Sequence, residues 1–309
     1  MKPENSFSIA NPQPSATSKV QKVGLGLAGI GFLILLISAF QNVETSGTRL
    51  LILSFCFIIF GSLIFIVKEY SGKHPGIKNN GVQFRSLSSR GIIGWTLGVA
   101  ITAFYVLLYW FPNPLEGVIR LLDPLSFLIR GKAANQWFLY GTFYTVSVLL
   151  MGFKFGLKYR HNKYQLIRTF SVSFFQLGFG FLIPGVLAMM NQPEFYFHYF
   201  WPLDSYHLTP NGVSNLLNHP GGWGLVMILI SVGLTLFATP LLTYFFGKRW
   251  YCSWVCGCGG LAETAGDPFR HLSSKSLNSW KIERWSIHLV LVLMSIVNQI
   301  IALLVNESI

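Results

Sequence analysis

Long apolar runs separated by short polar loops set the rhythm of this chain. Seven stretches carry almost no charge: residues 23–43, 50–67, 92–111, 137–157, 170–190, 225–246 and 286–305. A helix needs about 20 predominantly apolar residues to cross the hydrocarbon core of a bilayer. The pattern therefore predicts an all-α integral membrane protein with about seven transmembrane helices. Between the third and fourth stretches, residues 113–136 keep apolar positions at helical spacing but are interrupted by Pro124. They read as a short interfacial helix lying on the outer surface. Residues 190–224 are dense in aromatics and turn formers; Tyr and Trp favour the headgroup layer, so this loop is expected to lie against the membrane as a cap or, in a sharper reading, as a quinol-binding lip. Glycine clusters such as GLGLAGIGF predict close helix contacts, and Pro184 and Pro240 predict kinks.

Composition agrees with this pattern. Of 309 residues, 52% are apolar and only 11% charged, well below the quarter that soluble domains carry. The net charge of +12 would suggest nucleic acid if the basic residues formed a domain of their own, but they lie in loops. When the loops are assigned alternately to the two sides, all but four of the 23 basic residues fall on the side of the N-terminus; the exceptions are Arg49, Arg120, Arg130 and Lys132. This positive-inside asymmetry predicts a cytoplasmic N-terminus and an outer C-terminal end in a plasma, or cell inner, membrane. The expected organisation is a disordered cytoplasmic tail over 1–22 and a six-helix membrane domain over 23–246. A cytoplasmic cysteine-motif loop over 247–285 and a seventh helix with a short outer end over 286–309 complete it. Charges are nearly absent inside the predicted helices, which argues against a proton-coupled transporter. No pair of histidines faces another inside the predicted bundle, which argues against a bis-histidine haem.

Three of the four cysteines fall in RWYCSWVCGCGG, residues 249–260, as Cys252, Cys256 and Cys258. Cys56, alone in an apolar run, reads as a small buried residue. The spacing C-x3-C-x-C on a predicted reducing face points to metal or cluster binding, or to redox chemistry, rather than to a disulfide. Gly257, Gly259 and Gly260 supply the backbone freedom needed to wrap sulfurs round an inorganic core, and Lys248 and Arg249 favour the thiolate form. LAETAGDPF, from Leu261, is expected to start a helix whose free N–H groups face the same anionic site. The spacing is one residue short of the radical-SAM run, and no second cysteine pair follows to complete a zinc knuckle. Free structural thiols and a copper or zinc site stay open on the residues alone.

The segments GKRWYCSWVCGCGGLAETAGDP, LLDPLSFLIRGKAANQWFLYGTFYTV and YRHNKYQLIRTFSVSFFQLGFGFLIPG together resemble the NapH/NosR-type polytopic membrane 4Fe–4S binding proteins, over about residues 92–284. The resemblance implies a membrane-bound electron-transfer component rather than a stand-alone enzyme. In it, Cys252, Cys256 and Cys258 would hold part of a 4Fe–4S cluster at the cytoplasmic face of a quinone- or ferredoxin-linked relay. Gly257 stands where that family's motif has proline, and Cys258 is added. The family's second cysteine motif and its ferredoxin-like domain do not follow. The resemblance therefore implies that the remaining ligand comes from a redox partner or from a C-terminal ferredoxin-like segment not contained here. The competing expectation is a membrane assembly or scaffold subunit whose thiols handle copper or zinc for a partner enzyme.

Overall fold

The computed structural model describes residues 17–40, 47–71, 92–199, 210–218, 222–247, 249–267 and 276–306. Among them every regular element is helical. The chain divides into two units, 1–268 and 269–309.

In the first unit, α1 (Lys19–Phe40) and α2 (Gly47–Tyr70) form a hairpin. They meet where side chains are missing: a Cβ on Gly31 would lie 2.6 Å from the Ser54 carbonyl oxygen, and one on Gly61 would lie 2.5 Å from the Ala28 nitrogen. Small residues let membrane helices approach to backbone contact, where dispersion replaces the hydrophobic drive that lipid cannot supply. Helix α1 starts at Lys19, inside the stretch expected to be a disordered tail; residues 1–16 of that tail lie outside the described residues.

Helix α3 (Ile92–Trp110) is followed by a 3-10 turn, Asn113–Leu115, then α4 (Glu116–Leu121) and α5 (Asp123–Arg130). The axis bends by 107° between Gly98–Trp110 and Asn113–Leu121. The expected single short helix is thus two helices meeting at Leu122, with Pro124 in the first turn of α5, where its missing N–H costs nothing. Gly131, at φ +68°, ends α5 in the left-handed conformation that glycine adopts without penalty. Leu121 and Leu122 join Leu35, Leu51, Leu108 and Leu139 in the main apolar core.

Helix α6 (Gln136–Lys158) is capped by Asn135, whose side chain accepts from the Phe138 N–H at 2.9 Å. The next span runs from α7 (Lys163–Phe174) through a π-helical segment, Phe175–Leu182, into α8 (Ile183–Met189). After α9 (Pro210–Leu217) a second such span follows: α10 (Trp223–Gly233), a π segment at Leu234–Ala238, and α11 (Thr239–Phe246). Each π segment ends two residues before a proline, Pro184 or Pro240. Proline removes an N–H and crowds the carbonyl four residues back. Here the ladder widens instead, Ile183 donating to Gly178 and Thr239 to Leu234, each five residues back. The Thr239 hydroxyl also bonds Leu234 O at 2.8 Å.

Among the described residues, five helices are long and apolar enough to cross a membrane: Lys19–Ile37, Thr48–Tyr70, Gln136–Lys158, Lys163–Met189 and Trp223–Phe246. The bent pair Gly98–Trp110 and Asn113–Leu121 makes a sixth if counted as one span. The second unit contains α14, Leu277–Asn306, one continuous helix over the seventh apolar stretch. Its start is marked by Ser276, whose hydroxyl accepts from the Ser279 N–H at 3.2 Å.

One expectation is corrected. Charge is present inside the bundle, at the Lys158 end of α6: Glu69, Lys154, Lys158 and Asp267 are all buried. Lys158 donates to Asp267 at 2.5 Å, Tyr159 adds its hydroxyl at 3.2 Å, and Gln21 donates to Glu69 at 2.5 Å. Window-averaged hydropathy hides such residues because they sit near helix ends and neutralise one another in space.

Candidate metal centre

The cysteine segment is not a free loop. Trp250–Trp254 forms α12 and Gly257–Thr264 forms α13, joined at Val255 and Cys256. Cys256 is extended, at φ −73° and ψ 123°, and serves as the N-cap residue of α13. The helix therefore begins four residues before Leu261, inside the glycine run, and places Cys258 in its first turn. The helix starts earlier than Leu261, and no side-chain hydrogen bond from Cys256 caps it.

Glycines make this arrangement possible by absence of bulk. A Cβ on Gly259 would collide with the Cys252 carbonyl. A Cβ on Gly257 would lie 2.6 Å from Gln176 Oε1 and 2.7 Å from the Tyr144 hydroxyl. The segment is thus seated against α6 and the π-helical span.

Its anchors run along the length of those helices. Asp267 is tied to Lys158, Glu263 pairs with Arg168 at 2.5 Å, and Ser171 donates to the Trp254 carbonyl at 2.8 Å. Tyr144 donates to Cys258 Sγ at 3.0 Å, and Tyr251 donates to the His198 carbonyl at 2.6 Å. Tyr144 is eight residues from Gln136 and fourteen from Lys158, or about 12 and 21 Å along the axis. Gln176 is thirteen residues from either end of Lys163–Met189. The thiols therefore lie level with the middle of these helices, whereas the sequence placed them in a loop beyond the helix ends. Arg249 is described, at the N-cap of α12; Lys248 lies outside the described residues.

Cys252 and Cys258 are exposed, Cys256 is half-buried, and all three are free thiols. Cys256 and Cys258 form a pair. Hydrogen bonding to Cys258, with burial second, pushes the Cys256 thiol up. Cys258, accepting from Cys256 and also from Tyr144, is drawn down to about 6. Cys252 stands in the middle of α12, with its carbonyl against Gly259 of the pair's segment. Among the described residues no three His, Cys, Asp or Glu side chains converge on one metal-sized point. The structure thus joins two of the three predicted ligands and leaves the third beside them. The donor chemistry nonetheless fits an iron–sulfur group: soft sulfur ligands within one short segment, with the Tyr144 hydroxyl donating to one of them.

Several neighbours carried no signature in the sequence. Tyr144 and Gln176 sit in apolar runs; Gln176 donates to Thr145 at 3.1 Å beneath Gly257. His198, expected in an outer loop, dips back beside Gly180 and bonds the Phe179 backbone, with its Nδ1 buried and without a hydrogen-bond partner. Burial holds its pKa below the ordinary histidine value, so the ring is neutral.

Residues 223–276, from the start of α10 through the cysteine helices, match a family model described as a 4Fe-4S binding domain. No curated protein and no solved structure matches the chain. The family match supports a 4Fe–4S cluster as the cofactor and, with it, iron–sulfur electron transfer.

Proposed function

We propose that this chain is the membrane portion of a NapH/NosR-type electron-transfer protein, with Cys252, Cys256 and Cys258 as three ligands of a 4Fe–4S cluster. The supporting observation is the start of α13, which places Cys256 at the N-cap and Cys258 3.0 Å from the Tyr144 hydroxyl, inside a segment that matches a 4Fe-4S binding domain. When bound, the cluster supplies one-electron chemistry. The chain's own residues hold and tune the sulfurs: Tyr144 donates to Cys258, and Gly257 and Gly259 keep side chains out of the cradle.

The fourth ligand comes from outside the three-cysteine motif, from a redox partner or a ferredoxin-like segment. The relay connects to the quinone pool or to a soluble donor in the cell inner membrane, with the bilayer itself as the first partner. Metal and sulfide analysis of anaerobically purified protein, expressed with its partner polypeptide, tests the reading. Iron and acid-labile sulfide in equal amounts support it. Copper or zinc without sulfide would replace it with the assembly-subunit reading.

A further inference from the structure

The N-terminal turns of α14 carry a face that is basic and aromatic rather than apolar. Trp280, Lys281, Arg284, Trp285 and His288 line one groove of about 530 Å³. Sequence spacing builds it, because residues three and four apart are neighbours on a helix surface. Glu283, the acidic residue of these turns, falls outside that arc and does not line the groove. The Arg284 guanidinium lies over the Trp280 ring, 5.7 Å from its centroid. Trp280 is 54% and Trp285 76% exposed. Among the described residues no carboxylate pairs with Lys281 or Arg284. The apolar run LVLVLM follows His288 directly. Arg284 stands one turn above His288 and Trp280 another, about 6 Å each along the axis. The polar layer on either side of a bilayer's hydrocarbon core is about 5–7 Å deep. With residues 286–305 in hydrocarbon, the basic groups therefore lie level with lipid phosphates.

We propose that this face of α14 is a binding site for an anionic glycerophospholipid, with Lys281, Arg284 and His288 donating to the phosphodiester and Trp280 and Trp285 flanking it. The inference rests on the seventh apolar stretch lying in the bilayer, and not on the cysteines or their cofactor. Arginine offers a planar fork of N–H groups that matches two phosphate oxygens, and the Trp280 ring against its face leaves the fork's edge open to the ligand. Lys281, three residues away, adds a point charge, and His288 adds a ring N–H at the deeper edge. The tryptophans place an apolar ring and a polar N–H in the layer where both are satisfied. Charge selects the anionic class. A choline or ethanolamine headgroup would bring its own cation to a face that holds two cations and no carboxylate. The Trp280 ring, which would otherwise receive a quaternary ammonium, is already covered by Arg284. Val292, one turn beyond His288 and 54% exposed, continues the same face for an acyl chain.

The test is native mass spectrometry of the full chain in detergent, titrated with dioleoyl-phosphatidylglycerol or dioleoyl-phosphatidylcholine and read as lipid retained per chain. The unaltered chain is expected to retain phosphatidylglycerol in preference. The double variant Lys281→Gln with Arg284→Gln should bind it about thirtyfold more weakly, a factor of about five for each basic residue removed. Its binding of phosphatidylcholine should not change. Both side chains are exposed, so the variant is expected to melt with the unaltered chain. Lys19→Gln with Lys22→Gln removes the same charge from exposed positions on α1 and should leave phosphatidylglycerol binding as it is. Arg284→Lys keeps the charge but loses the fork, and an intermediate loss is expected. Inorganic phosphate at the lipid's own concentration should not displace it. Equal retention of the two lipids, undiminished binding in the Lys281 and Arg284 variant, an equal loss in the Lys19 and Lys22 variant, or displacement by inorganic phosphate would overturn the proposal. Each result is independent of whether the cysteines hold a cluster.

Discussion

Cys256 is the residue on which the site turns, because its extended backbone caps the start of α13, whose first turn places Cys258 beside Tyr144. Tyr144 acts on the neighbouring sulfur. A hydrogen bond to a ligand sulfur stabilises the more negative, reduced form of a cluster. Tyr144→Phe is therefore expected to lower the midpoint potential of bound iron–sulfur, measured by EPR-monitored redox titration, with iron content unchanged. A third residue reports on stability. Burial disfavours the Glu194 carboxylate, but hydrogen bonds from Lys132 and Arg130 outweigh it and hold its pKa below the ordinary value. A carboxylate whose folded pKa is depressed contributes stability above its unfolded pKa and loses it as pH falls through the folded value. The melting-temperature difference between the unaltered chain and Glu194→Gln should thus be largest near pH 7 and shrink as the pH falls below about 4.

Helix α13 owes its position to what it lacks and to what pins its far end. Gly259→Ala forces a methyl group against the Cys252 carbonyl, and overpacking of this kind costs about 1–3 kcal/mol. The expected outcome is a lower melting temperature together with loss of the Cys256–Cys258 pairing, read as slower thiol alkylation differences between the two. At the other end, Asp267→Asn leaves the buried Lys158 ammonium without its carboxylate, a change that costs about 3–5 kcal/mol. Replacing both partners with apolar residues should cost less than Asp267→Asn alone, a comparison that thermal denaturation in detergent resolves. The helices themselves were legible from apolar runs, and Asn135, Gly131 and the two prolines marked their boundaries or irregularities. The π-helical response to Pro184 and Pro240 was not legible, because proline announces a lost donor and not how the ladder absorbs it. The cysteine segment was legible as a candidate metal-binding motif but not in its local structure: a short polar stretch after an apolar run reads as a loop, and tertiary partners such as Arg168, Ser171 and Gln176 seat it against helices.

At the scale of the whole molecule, α6 connects three regions of different character. Its Gln136 end carries the Trp137–Tyr109 ring contact and the Asn135 cap, its middle meets the thiol pair through Tyr144, and its Lys158 end closes a buried ionic cluster with Asp267. An all-helical membrane architecture could be read from period and length alone, since few soluble folds contain so many uncharged runs. Long-range pairs such as Tyr144 with Cys258, or Tyr251 with His198, leave no trace in a local pattern. The most direct test is the EPR spectrum of the anaerobically reduced protein, purified with its partner polypeptide, beside that of Cys256→Ser. A reduced 4Fe–4S signal in the former and its loss in the latter is the expected result. No signal in the unaltered protein, or an undiminished one in Cys256→Ser, would contradict the assignment of this site to an iron–sulfur cluster.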